Sequence, residues 1–356
     1  GPGSEPPDPF PGTEGEDSTL FLRLADTVGG GQAYFLYRQE IPADGTLGAP
    51  LSAFDVKPSR PAVLGDGSLA VFVDSIDGLC FIPTDGSAAE DCDPSLSGVV
   101  ASVAVSPDGN LFGFVLVDPL TGDPDKFINV FDLRRPPPDD LVEIEVRAPA
   151  IDAATIANVR FADAMDISAD NGFVVYDALT EVAFTGSGGD AAVNVWALYA
   201  ADLATGNLFT IVPPVEGLDI GYPALAQRSD NHIVFDVVDQ TTGDGTVFAG
   251  DLDTGARVQP RVHAGTPGLP GFGVPGYNGD DSLVVFSVPD DLVQTGYFLA
   301  AQGVAADRMT PAGAPFLWID DADLGVVYRR GAFVPEPGAA ALALAALAAL
   351  AVLRRR

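Results

Sequence analysis

The sequence predicts an all-β protein folded as a single β-propeller. Short runs rich in Val, Phe, Leu and Tyr alternate with clusters of Gly, Asp, Pro and Asn. Tight turns of Asp-Gly type recur along the chain, and each apolar strand that follows one is succeeded by a second, aromatic strand. Between Thr19 and Phe333 no segment of any length reads as helix. Hydrophobic residues at 47% against 19% charged supply a core and exclude a disordered chain. The 40 Gly and 30 Pro follow no Gly-X-Y period, so they punctuate short elements rather than build collagen. With 356 residues the chain suits one large all-β domain. Its net charge of −32 argues against nucleic acid or an anionic membrane surface as partner.

The first repeated element is an apolar strand ending in Asp: Leu20 to Asp26, Leu69 to Asp74, Leu111 to Asp118, Phe173 to Asp177, His232 to Asp239 and Leu283 to Asp290. Five copies follow turns at Asp66, Asp108, Asp170, Asp230 and Asp280, whose residue types tolerate positive φ. The second element carries the aromatic strand: Ala33 to Arg38, Leu79 to Pro83, Ile128 to Leu133, Trp196 to Leu203, Val247 to Leu252 and Tyr297 to Ala301. Two hairpins per repeat make a four-stranded unit. The turns are spaced 42, 62, 60 and 50 residues apart, which suits propeller blades, two of them with loop insertions.

Val103-Ala104-Val105-Ser106-Pro107-Asp108-Gly109, an apolar strand, and then a strand ending Asp-Leu-x-Thr-Gly, as at Asp202 to Gly206 and Asp251 to Gly255, resemble the TolB-type propeller repeat. That resemblance spans most of the body and implies a propeller, with an envelope complex as one setting; it does not imply a chemistry. The body opens with the second, third and fourth strands of a blade, Leu20 to Phe54. Strands near Phe316 to Ile319 and Val326 to Tyr328 would complete that blade and remove the free edge. Six blades are expected, with seven as the alternative.

The two ends stand apart from this body, which spans 19–333. Gly1-Pro2-Gly3-Ser4 reads as the remnant of a cleaved expression tag, and the Pro-rich acidic stretch to residue 18 as a flexible leader. In 334–356, Pro335-Glu336-Pro337 precedes an unbroken apolar run from Gly338 to Leu353 and then Arg354-Arg355-Arg356. As a helix the run would span about 24 Å, short of the roughly 30 Å hydrocarbon core, which suits a transient signal better than a permanent anchor. These three parts in this order resemble the PEP-CTERM sorting signal of Gram-negative bacteria. The resemblance implies export through the inner membrane, held there transiently by the apolar helix, and processing by an exosortase-type enzyme. It places the protein in the envelope, at the cell surface or in the extracellular matrix.

Only Cys80 and Cys92 are present, in the strands flanking the turn at Asp85-Gly86, and an exported protein would pair them. His232 and His263 are the only histidines, and no nucleophile elbow or phosphate loop accompanies them. The repeat-equivalent aspartates are read first as turn formers. Their alternative role is a rim for Ca²⁺, with Asp118, Asp123 and Asp125 the best local metal set. The expected function is a non-catalytic binding or scaffold protein for a protein or polysaccharide. Its rivals are a Ca²⁺-dependent hydrolase or lyase with its site at the channel mouth, and a periplasmic subunit of an envelope complex.

Overall fold

The computed structural model describes residues 17–40, 48–64, 67–118, 120–136, 139–147, 156–184, 192–227, 232–243 and 245–252, and the strand segments 258–262, 273–277, 283–289, 295–301, 316–319 and 323–329. Asp17 and Ser18, read as the last residues of the expected leader, belong to the first strand, whereas residues 1–16 and the tail with Pro335, Glu336, Pro337 and Arg354 to Arg356 lie outside the described residues. So do the turns expected at Asp66, Asp230 and Asp280 and the end of the run at Asp290. Among the described residues no helix is long and apolar enough to cross a membrane.

All described regular structure is β except one 3-10 turn, Pro94–Leu96. The first sheet holds β1 (Asp17–Asp26), β2 (Gln32–Glu40) and β3 (Ser52–Phe54). The second is β4 (Ala62–Val63), β5 (Leu69–Asp74), β6 (Gly78–Pro83) and β7 (Asp91–Asp93). The third is β8 (Val100–Val105), β9 (Leu111–Val117), β10 (Pro124–Asp132) and β11 (Leu141–Glu145). The fourth follows with β12 (Ile156–Ile167), β13 (Phe173–Ala183), β14 (Val193–Asp202) and β15 (Leu208–Val212). The fifth has β16 (Leu218–Leu225), β17 (His232–Asp239), β18 (Gly245–Leu252) and β19 (Val258–Val262). The sixth has β20 (Gly273–Tyr277), β21 (Leu283–Pro289), β22 (Thr295–Ala301) and β23 (Phe316–Ile319).

Five of these sheets are thus built from consecutive strands. The first is completed from the far end of the chain, where β24 (Asp323–Arg329) pairs antiparallel with β1, Asp17 opposite Arg329 and Leu20 opposite Val326. The opening strands of the sheets touch in a cycle, β4 to β8, β12, β16, β20, β24 and back to β4. Such a cycle closes a propeller-like ring with β24 as its last inner strand, and no seventh sheet occurs among the described residues.

Apolar residues explain why the sheets stack. One cluster joins the first and second sheets (Leu22, Phe54, Phe72) and another the second and third (Val73, Val103, Phe114). Others join the third and fourth (Val115, Ile144, Tyr176) and the fourth and fifth (Val175, Ile211, Phe235). The middle strands are buried on both faces, which is why their sequences run apolar instead of alternating. Stacked cross-strand pairs recur at one place between the second and third strands: Phe21 with Tyr37, Tyr176 with Tyr199, Phe235 with Phe248.

The Asp-Gly turns link the first strand of a sheet to the second. Gly109 N donates to Ser106 O and Asn171 N to Ser168 O, with Asn171 in the left-handed region at φ 59°. Ser106 Oγ donates to Asp108 Oδ1 at 2.7 Å and accepts from Leu111 N at 2.9 Å, and Ser168 repeats this with Asp170 and Phe173. Asn171 Nδ2 also donates to Asp108 Oδ2 at 2.6 Å, tying the third sheet to the fourth. Cys80 and Cys92 face each other across β6 and β7 and are disulfide-bonded.

Candidate functional site in the central channel

The inner strands surround a cavity of about 590 Å³, lined among others by Arg60, Asp163, Asp166, Tyr222 and Gln227. Its walls are irregular because the inner strands of the fourth, fifth and sixth sheets bulge at equivalent places. Register shifts fall between Ala162 and Met165, Gly221 and Ala224, and Gly273 and Gly276. In the last two sheets the bulge puts Tyr222 and Val274 at φ 48° and 49°, a region costly for side chains of this kind.

Buried carboxylates hold these bulges. Asp177 Oδ1 accepts from Ala164 N at 2.8 Å in its own sheet, and Oδ2 accepts from Tyr222 N at 2.9 Å in the next. Asp236 repeats the arrangement, accepting from Gly221 N in its own sheet and from Val274 N, at 3.0 Å, in the next. Asp166 accepts from Ile167 N at 2.8 Å and from Leu225 N at 2.7 Å. Gly221 leaves room here that a side chain would crowd, since a Cβ would sit 3.0 Å from Asp177 Oδ2. Arg60, entering the second sheet, reaches to the sixth, where a Cβ on Gly276 would lie 2.7 Å from its Nη2.

The electrostatics follow from burial. Desolvation pushes Asp177 well above the usual carboxylate range, the Asp163 charge adds to it, and the donated N–H groups oppose it. Desolvation raises Asp163 too. It lifts Asp236 to about 7 and Asp166 to about 6 against their backbone donors and the nearby Arg60 charge. Tyr222 is pushed up to about 12, by burial first and then by Asp163, Asp177 and Asp236. The channel therefore holds carboxyl groups that take up protons near neutral pH.

The aspartates at strand ends divide into two kinds. Asp74, Asp118 and Asp239 accept from backbone N–H groups two or three residues on, and Asp26 lies at the equivalent place. Asp177 does not belong with them: β13 continues six residues further, to Ala183, so Asp177 sits mid-strand, buried behind the inner strands that line the cavity. Of the expected metal set, Asp118 accepts from Leu120 N at 2.8 Å and Asp125 from Lys126 N at 2.6 Å, while Asp123 O accepts from Asp118 N. Among the described residues no three His, Cys, Asp or Glu side chains are placed to hold a metal ion. His263 lies outside the described residues.

The channel residues escaped the reading of the sequence. A signal was available: Ser59-Arg60-Pro61-Ala62, Gly221-Tyr222-Pro223-Ala224 and Gly273-Val274-Pro275-Gly276 share a Pro followed by a small residue just before or within an inner strand.

No family model matches the chain, and no curated protein matches it either. Solved structures do. The chain is similar to TolB from Acinetobacter baumannii, with TM-score 0.53 and 14% identity over 80% of this chain, and it spans 61% of that chain's length. It is also similar to a putative TolB from Agrobacterium tumefaciens, with TM-score 0.50 and 14% identity, covering 88% of this chain and 98% of that one. At such identity the likeness shows a shared all-β propeller architecture.

Proposed function

We propose that the chain is a six-bladed propeller that acts in the cell envelope as a non-catalytic binding or scaffold protein. The supporting observation is how the channel uses its carboxylates. Asp166, Asp177 and Asp236 each accept backbone N–H groups from two strands or two sheets, as struts would, and in Asp166 and Asp177 both oxygens are engaged in this way. Export rests on the sorting-type tail, with processing by an exosortase-type enzyme, and the Cys80–Cys92 disulfide suits an oxidising compartment. The ligand is a protein or a polysaccharide.

One observation favours a catalytic reading. Asp236, at about 7, has the proton affinity of a general acid or base and lies among Asp163, Asp177 and Tyr222. A hydrolase or lyase reading requires activity that Asp236→Asn abolishes in a folded protein. The envelope setting of this reading is tested by fractionating cells that make the full chain together with an exosortase-type enzyme. The expected product is in the envelope fraction, shortened at the C-terminus near Pro335 to Pro337, with both thiols oxidised. Full-length cytoplasmic protein with two free thiols contradicts it.

A further inference from the structure

Three successive sheets present the same local sequence at the hairpin between their second and third strands. These are Asp26-Thr27-Val28-Gly29-Gly30, Asp74-Ser75-Ile76-Asp77-Gly78 and Asp118-Pro119-Leu120-Thr121-Gly122. The fifth residue is a glycine at φ 78°, 87° and 77°, a left-handed position that closes each turn. Asp74 Oδ1 accepts from Ile76 N at 2.7 Å, and Asp118 Oδ1 accepts from Leu120 N at 2.8 Å. The first hairpin is closed by Thr27 N donating to Gly31 O at 2.8 Å. Each turn therefore holds its third residue outward on a fixed backbone. That residue is aliphatic every time, and it is exposed: Val28 at 110%, Ile76 at 51% and Leu120 at 93%.

Turn chemistry does not require an aliphatic there. In the fifth sheet Asp239-Gln240-Thr241-Thr242-Gly243 keeps the same bonds, Thr241 N to Asp239 Oδ1 at 2.7 Å and a glycine at φ 75°, with Thr241 at the tip. The crossovers into the second and third sheets add exposed Val56 and Val99 at the same end. Val99 O accepts from Val117 N at 2.8 Å, and Ser97 Oγ donates to Ser75 O at 2.9 Å, so this crossover is fastened between the Ile76 and Leu120 hairpins. Among the described residues every exposed large apolar side chain but one lies at this end of the ring; the exception, Tyr222, is in the channel. Isolated exposed apolar residues are ordinary, but their recurrence at one end of the ring, at equivalent turn positions, is not.

Two facts select the occupant. Asp17 pairs with Arg329, so β1 starts and β24 finishes at the opposite end of the ring, and the strands that close it do not end at the arc. Around it Asp26, Asp55, Asp77 and Asp123 are exposed, against Lys57 and Lys126, in a chain of net charge −32. That field repels a second copy and an anionic bilayer and attracts a basic surface.

We infer that Val28, Ile76 and Leu120, with Val56 and Val99 between them, form a docking face for a protein partner whose apolar recesses are rimmed by lysine or arginine. This deepens the binding reading proposed above. The test needs neither export nor processing, so its failure is separate from failure of that reading.

The probe is a synthetic amphipathic helix of Leu on one face and Lys on the other, with a Ser/Lys counterpart, titrated by fluorescence anisotropy at physiological salt. The triple variant V28S/I76S/L120S is expected to bind the Leu/Lys helix about tenfold more weakly, with an unchanged melting temperature. Thr241→Ile, which adds a fourth tip, is expected to strengthen binding severalfold. Equal affinity of parent and triple variant for the Leu/Lys helix overturns the inference. So does equal binding of the two helices by the parent, since charge alone would then suffice. Sedimentation with and without phosphatidylcholine vesicles is run in parallel. Self-association or vesicle binding that the triple variant loses would assign the face to a second copy or to lipid, and would also overturn the inference.

Discussion

Gly221 is wedged between two carboxylates, with Asp177 Oδ2 3.0 Å and Asp236 Oδ1 3.5 Å from where its Cβ would be. Gly221→Ala presses its methyl on Asp177 Oδ2, which accepts from Tyr222 N, so a loss of about 1–3 kcal/mol is expected in a urea titration. Asp177→Ala strands two backbone N–H groups and is expected to cost about 2–5 kcal/mol. The same residues set the pH profile. Asp236 and Asp166 are raised from 3.8 to about 7 and about 6, so between pH 4 and 7 the folded state binds more protons than the unfolded chain. Their contribution is full below about pH 4 and is lost as pH rises through 6 to 7. Asp108 and Asp132 run the other way. Burial opposes the bonds to Asp108 from Ser106, Asn110 and Asn171, but the bonds win; Arg134 lowers Asp132. Their contribution is lost as pH falls below about 3.8. Thermal unfolding followed against pH is therefore expected to peak on the acid side of neutrality, and Asp236→Asn to flatten the fall between pH 5 and 8. An unchanged slope in that variant would show that Asp236 is not buried as described.

Elements of local origin were legible in the sequence, and those of distant origin were not. Every aromatic strand that the repeats predict is the third strand of a sheet, because tight turns and apolar runs are local signals. The completion of the first sheet by β24 could be anticipated, since Leu20 to Phe54 lacks an opening strand. The channel carboxylates had no such signal. Asp177 meets Tyr222 across 45 residues and Asp236 meets Val274 across 38, so an Asp in an apolar run looked like one more turn former. The Cys80–Cys92 pair was legible because its strands are adjacent in sequence. It ties the edge strand β7 to β6, and closing that loop contributes about 3 kcal/mol by its effect on the unfolded chain. Cys92→Ser is expected to lower stability by about that amount under oxidising conditions and to leave it unchanged under reducing ones. Hydrogen exchange should show the loss first in β7.

At the scale of the molecule, the ring is a cycle of sheets with one seam. Five sheets are stitched by their own hairpins, and the sixth contact depends on β24 reaching β1 from more than 300 residues away. Closing so long a loop is entropically costly, and burial between sheets must repay it. The seam should therefore be the point at which cooperativity is lost. The strand that closes the ring, β24, ends at Arg329. The most direct measurement compares thermal unfolding of the full chain with chains ending at Phe333 and at Ile319. The chain ending at Phe333 should melt within a few degrees of the full chain, in one cooperative transition. The chain ending at Ile319, which lacks β24, should lose that transition or melt far lower. Equal melting of all three would contradict closure of the ring by β24.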